Sequence, residues 1–322
     1  MLTVNNQTFI PISLFSLIEN SYPEVNIYAC AKNDHRPLLL ISETEPIDLD
    51  KIGSFESEGV YNLYVSNDQF EQFQEHLRSN WERFLEDETL PLKTRLANIM
   101  EISRDLLTKT FVKRQPENLV RVARSLSRVL ASLINRNQPP LRDLLDILRH
   151  DDHIATHSVN VACFAIFLAE SLGYPLSDLC KIGTGALLHD VGMLELDPNV
   201  VKKPRKLDEF ERKEIAKHSI LGFKLLCKVA DLSRDELMIV YQHHERVDGK
   251  GYPTALVQSE IHPWARLCSV VDTFEAVTSD RPQRQRLSVT SAIAILQRES
   301  DNSLDPAFVD AWIRLVEAEK IT

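Results

Sequence analysis

The chain has 322 residues, 43% apolar and 26% charged, which is the make-up of an ordinary globular protein. A single hydrophobic core stops growing at roughly 250–300 residues, so more than one domain is expected. The formal charge of −10 argues against a surface built to neutralise a nucleic-acid polymer, though not against a pocket for a small anion.

The first twenty residues, MLTVNNQTFIPISLFSLIEN, lack the basic start and long apolar core of a signal peptide. No stretch reads as the ~18–20 apolar residues of a membrane span. Residues 1–66 are expected to form a small α+β module. Val25–Cys30, Pro37–Ser42 and Val60–Val65 have the length and side chains of strands, and Ser13–Asn20 reads as a short helix. The module has no His, Asp or Glu cluster at ligand spacing, so its expected role is regulation or dimerisation.

From Asn67 the apolar period becomes helical. Phe70, Phe73, Leu77, Trp81, Phe84 and Leu85 form one stripe, with Asn67 or Asp68 as its cap and Pro91 as its break. Leu92, Leu96, Ile99, Ile102 and Leu106 form a second. A third begins at Pro116, a residue suited to a first turn, runs through Leu119, Val122, Leu126, Val129 and Leu133, and ends in Asn135–Pro140. Residues 67–138 are expected to be a helical connector, its stripes packing within one chain or pairing in a homodimer. Residues 139–322 stay helical, with helices expected near 141–149, 153–172, 176–190, 208–229, 233–245, 263–277, 288–299 and 305–317. Gly173, Asp197–Pro198, Asp231, Asp248–Pro253 and Asp280–Pro282 separate them. The fold class is therefore mainly α, an all-helical C-terminal domain behind a small α+β domain and a helical connector.

Only 9 glycines occur, and neither GxGxxG nor GxxxxGK[ST] is present. Five scattered cysteines (Cys30, Cys163, Cys180, Cys227 and Cys268) form no CxxC. That disfavours a disulfide framework or a thiolate zinc site and points to a reducing, cytoplasmic compartment.

The histidines are unevenly placed. Seven of the ten lie between positions 150 and 244: His150, His153, His157, His189, His218, His243 and His244. His189–Asp190 ends the apolar run GTGALLHD, and His243–His244–Glu245 ends ELMIVYQHHE. Buried imidazoles and carboxylates are costly without partners. Metal ions would supply partners to nitrogens and carboxylate oxygens together. His and Asp ligation without thiolate suits Fe, Mn, Zn or Co. Asp190 could bridge two ions, which together would activate water and polarise a phosphate.

The segments HSVNVA (His157–Ala162), LLHDVG (Leu187–Gly192), KP (Lys203–Pro204), KHSILG (Lys217–Gly222), HHERVDGKGYP (His243–Pro253), VVDTFEAVTSDRP (Val270–Pro282) and DPAFV (Asp305–Val309) occur in one order. On these, the chain from Asp151 to Ile313 resembles the HD-GYP branch of the HD phosphohydrolase superfamily. The resemblance implies an all-helical HD-type domain that hydrolyses cyclic di-GMP to pGpG or GMP with two divalent metal ions, iron or manganese being expected. It implies one ion on His157, His189, Asp190 and Asp272, and a second sharing Asp190 with His218, His243 and His244. His157, His189 and Asp190 are then the catalytic core.

The family usually carries lysine where this chain has Met193, and tyrosine where it has Gln283. Methionine brings no charge to a substrate phosphate, so binding or catalysis is expected to be weaker. A cyclic di-GMP sensor or scaffold, or a hydrolase of another cyclic dinucleotide, are the alternatives. Arg281 could clamp phosphate through both its nitrogens, with Lys250, Tyr252 and Arg284 as further substrate contacts and Lys203 and Arg286 as weaker candidates. His153 lies four residues before His157, on the same helix face, and is a candidate ligand for a third ion. The turn Asp248–Gly251 would wall the pocket and, by the resemblance, offer a surface to a signalling partner.

Overall fold

The computed structural model describes residues 2–4, 7–31, 36–52, 60–148, 153–201, 203, 205, 208–279 and 286–321. His150, Arg281, Gln283 and Arg284 lie outside the described residues. The chain divides into two compact units, Met1–Ile102 and Ser103–Thr322.

The first unit holds a five-stranded antiparallel sheet in the order β1-β2-β5-β3-β4. Its strands are β1 (Leu2–Val4), β2 (Gln7–Ile12), β3 (Ile27–Ala31), β4 (Leu38–Ile41) and β5 (Val60–Ser66). The β3, β4 and β5 strands fall where short β-branched runs predict them. The β1 and β2 strands were not anticipated. β2 is held by pairing with β5, where Phe9 faces Ser66 and Ile12 faces Leu63, a partner more than fifty residues away in sequence. The helix expected at Ser13–Asn20 is a single 3-10 turn, Leu14–Ser16. Serine side chains take the local backbone bonds there: Ser16 Oγ donates to Ser13 O at 2.6 Å and Ser21 Oγ to Ile18 O at 2.7 Å.

Two helices follow where one stripe was expected, α1 (Asn67–Ser79) and α2 (Trp81–Glu86). The break is at Asn80, whose Nδ2 donates to His76 O at 2.8 Å and diverts a helical carbonyl. The cap of α1 is Ser66, one residue before the expected pair. Helix α3 (Leu92–Lys113) contains the division between the units, and α4 (Pro116–Asn137) starts with Pro116 in its first turn. Residues 67–138 are thus shared between the units, and α4 packs against α6 and α7 inside the second.

The second unit continues with α5 (Leu141–Ile147), α6 (Ile154–Ser171), α7 (Leu176–Leu188), α8 (Pro198–Val201), α9 (Glu209–Ala216), α10 (His218–Leu226), α11 (Arg234–Gln242), α12 (Pro263–Thr278), α13 (Val289–Glu299) and α14 (Pro306–Ala318). Local signals account for many of these ends. Asp208 and Ser233 each form a capping box, with Glu211 and Glu236. Pro263 and Pro306 occupy first turns. The long helix expected over 208–229 is two, broken at Lys217.

Helix α6 is the described helix that bears on the expected lack of a membrane span. Its 18 residues have a mean hydropathy of 1.3, long and apolar enough to cross a membrane by length and composition. Within the unit 83% of that stretch is buried, because α6 packs against α4, α7 and α12. A buried central helix is apolar all round for that reason. Phe164, Phe274 and Trp312 close the core beside it, with ring centroids 5.0–5.6 Å apart.

Candidate metal centre

The polar cluster sits where five helices end or approach. His157 lies in the first turn of α6, and His189 caps the C-terminus of α7 with Asp190 next in chain. His218 opens α10, His243 caps α11, and Asp272 lies on α12. The break at Lys217 positions His218: its Nδ1–H donates to Ile215 O at 2.8 Å, a carbonyl of the preceding helix.

The other rings are fixed in the same way. His189 Nδ1 donates to Ala186 O at 2.7 Å. His243 Nδ1 donates to Ile239 O and Val240 O at 3.0 and 3.1 Å. His157 Nδ1 meets the buried Glu275 carboxylate at 2.5 Å. In all four rings Nδ1 is occupied and Nε2 turns to the centre, an arrangement that sets tautomer and aim for metal ligation.

Those Nε2 atoms converge on one carboxylate. Asp190 Oδ1 lies 3.2 Å from His218 and 3.6 Å from His243, while Oδ2 lies 3.6 Å from His189 and 3.7 Å from His157. Asp272 Oδ1 is 3.1 Å from His157 and 3.9 Å from His189. Two sets of potential ligand atoms result, Asp190 with His218, His243 and His244, and His157 with His189 and Asp272, each set within 4.8 Å.

The donor set fits divalent ions. His189 Nε2 is buried without a hydrogen-bond partner among the described residues. His218 Nε2 and His243 Nε2 face each other at 3.1 Å, two nitrogens that need a proton or a cation between them. The donors are imidazole and carboxylate only, which suits iron, manganese, zinc or cobalt.

Electrostatics agree with the geometry. Burial pushes the His189 imidazole down to about 4, and burial, aided by His243 and His218, holds His244 well below its ordinary value. Both are neutral and ready to ligate at neutral pH. Burial opposes a charge on His157 too, but Glu275 and Asp272 outweigh it and hold this imidazole up at about 10. The surrounding histidines keep Asp190 and Asp272 ionised in spite of burial. An ion must therefore displace a proton from His157, so Mn²⁺ affinity is expected to rise with pH between about 6 and 8. Calorimetric titrations in buffers of different ionisation heat will register the released proton. An affinity flat in pH would remove His157 from the ligand set.

A model of the HD domain family matches residues 111–308. The chain belongs to the HD domain family. Its HHERVDGKGYP segment resembles the motif of the HD-GYP branch. A cyclic di-GMP phosphodiesterase from Pseudomonas aeruginosa is 30% identical over 187 residues, 58% of this chain and 45% of that protein. A cyclic di-GMP phosphodiesterase response regulator from Xanthomonas campestris is 29% identical over 229 residues, 69% and 58% of the two chains. A 3'3'-cGAMP-specific phosphodiesterase from Vibrio cholerae is 31% identical over 154 residues, 48% and 33% of the two. The chain thus spans about half the length of these curated relatives. In fold it is similar to an HDG"Y"P protein from Bdellovibrio bacteriovorus, with a TM-score of 0.67 at 19% identity, covering 97% of this chain and all of that one.

Around the HD centre, Tyr252 is stacked 4.8 Å from the His244 ring, and its N–H donates to His244 O at 3.2 Å. Burial pushes its phenol pKa up, so it stays protonated. The GYP turn folds tightly back on the histidine pair. A methyl group on Gly251 would fall 2.3 Å from Arg246 N and 2.5 Å from Glu245 Cα. The buried Glu245 carboxylate accepts from Thr254 N at 2.6 Å and Leu256 N at 3.0 Å, tying down the chain beyond the turn. Lys250 is exposed at the tip, 3.8 Å from Asp248. Lys203 and Arg205 pair with Glu211, whose carboxyl they hold down at about 2, so Lys203 is engaged in that ion pair. His153 lies in neither ligand set. Its Nδ1 accepts from Ala155 N at 3.2 Å and caps α6.

Sequence reasoning passed over Glu275 and Asn160. Both lie on α-helical faces shared with ligands, Glu275 three residues after Asp272 and Asn160 three after His157. That spacing was the available signal.

Proposed function

We propose that this HD domain protein is a metal-dependent phosphodiesterase that hydrolyses cyclic di-GMP to pGpG or GMP. The observation that carries this reading is Asp190, whose two carboxylate oxygens each face a separate histidine set. In this reading His157, His189 and Asp272 hold one ion with Asp190, and His218, His243 and His244 hold the other with it. When bound, two such ions supply Lewis-acid charge to phosphate oxygens and lower the pKa of water.

The chain's own groups do the rest. Glu275 orients His157 through Nδ1. Asp190 and Asp272 keep negative charge between the rings. Tyr252 keeps its phenolic proton and can donate it to a substrate oxygen beside His244. Arg281 and Arg284 serve as phosphate contacts in this reading, with Lys250 at the turn. The first unit is read as regulatory, a signalling partner docks at the GYP turn, and the location is cytoplasmic.

The test is incubation of Mn²⁺- or Fe²⁺-loaded protein with cyclic di-GMP, the products being resolved by chromatography. No turnover with either ion sinks the hydrolase. Tight binding without turnover favours a sensor, the reading supported by Met193 after the HD pair. The similarity to 3'3'-cGAMP-specific relatives favours including that dinucleotide as a second substrate. Met193→Lys restores a cation close to Asp190 in sequence. A charged hydrogen bond contributes about 1.5–3 kcal/mol, so KM is expected to fall roughly tenfold or more. Unchanged kinetics would remove position 193 from the phosphate site.

A further inference from the structure

The His157 anchor continues beyond Glu275 into a chain of buried polar groups. Glu275 is 1% exposed and uses both oxygens. Oε2 holds His157 Nδ1 at 2.5 Å, and Oε1 accepts from Ser279 Oγ at 2.8 Å and from Asn160 Nδ2 at 3.0 Å. Asn160 is wholly buried, and its Oδ1 accepts from Arg104 Nη2 at 3.2 Å. Arg104 lies on α3 and is 4% exposed. It precedes the 111–308 segment that the HD family model matches.

The order of groups in this chain is chemically determined. Arg104 can only donate, and the Glu275 carboxylate can only accept. Asn160 between them has one orientation that satisfies both, with its carbonyl toward the cation and its amide toward the anion. The reverse would set donor against donor and acceptor against acceptor. A buried guanidinium needs polar partners, and here Asn160 links one of its nitrogens to the Glu275 carboxylate. The ring at the far end then has its Nδ1 proton held and its Nε2 directed at Asp272 and Asp190.

Among the described residues no such relay of side chains stands behind the other ligand set: His218 and His243, like His189 beside His157, are anchored on main-chain carbonyls of their own or the preceding helix. Those anchors are local and survive changes elsewhere. The His157 anchor depends on three side chains from three helices.

We propose that Arg104 is a positioning residue for one metal position only. Acting through Asn160 and Glu275, it sets the aim of His157, and hence the affinity of the ion held with His189 and Asp272. It leaves the ion of His218, His243 and His244 unaffected. This inference rests on the two-ion reading above.

The test uses the full chain and Mn²⁺ as probe. Wild type is expected to bind two ions and to give the electron paramagnetic resonance signal of a coupled pair. In Arg104→Met one ion should bind as in wild type. The other should weaken by about 10- to 100-fold, the range for loss of an outer partner of a ligand, and the coupled signal should give way to a mononuclear one. Asn160→Ala should do the same with Arg104 in place, and Arg104→Lys should recover part of the loss. If Arg104→Met does not fold, the Asn160→Ala and Arg104→Lys pair decides. Two ions at wild-type affinity in folded variants, or equal weakening of both, would overturn the inference. A wild type that binds no Mn²⁺ would instead overturn the two-ion reading itself.

Discussion

Asp190→Asn is expected to abolish hydrolysis while leaving the HD domain folded. The substitution keeps shape and volume but replaces one carboxylate oxygen by an amide nitrogen. Asp190 is the one described side chain whose two oxygens face different histidine sets, at 3.2–3.7 Å. An amide offers a single acceptor and turns donors toward the remaining rings. It also removes a negative charge that helps hold two cations close together. Metal charge is worth several kcal/mol of transition-state stabilisation, so the rate should fall by roughly 10³-fold or more. Metal analysis should find fewer than two ions per chain, and circular dichroism should find the helices intact. A variant with two tightly bound ions and near wild-type turnover would contradict the bridging role.

Gly192→Ala is expected to damage the same centre by a different route. The turn after α7 and the start of α10 approach so closely that a methyl group on Gly192 would sit 2.0 Å from His218 O and 2.5 Å from Gly222 N. Both atoms are backbone, so no side chain can rotate away. The two segments must separate, and they carry Asp190 and His218, whose ligand atoms are 3.2 Å apart. Forced overpacking costs about 1–3 kcal/mol, occasionally more. At the upper end the melting temperature of a unit this size falls by roughly 6–12 °C. The ion on the His218 side should be the first to weaken. Thermal unfolding with and without Mn²⁺ measures both effects, and a wild-type melting curve would show that the approach is looser than the structure has it.

Much of the second unit was legible because its signals are local. Amphipathic periods, capping residues such as Ser233 and Asp208, and first-turn prolines such as Pro263 lie within a few residues of what they determine. The residues of the candidate metal cluster stood out in the sequence for a related reason: histidines and acids at the ends of apolar helices need partners. Helix breaks at Asn80 and Lys217 were missed because a side chain of ordinary helix propensity takes a backbone carbonyl there. Strands β1 and β2 were missed because their stability comes from β5, far along the chain.

By itself, then, the sequence determined which residue types could carry chemistry, where most helices of the second unit run, and which side chains could hold metal. Only the tertiary structure decided how those side chains divide into two sets about Asp190. It also decided that Glu275, Asn160 and Arg104 stand behind one set, and that Gly192 must lack a side chain. These depend on distances between segments that come together only when the core closes, and no local propensity encodes such distances.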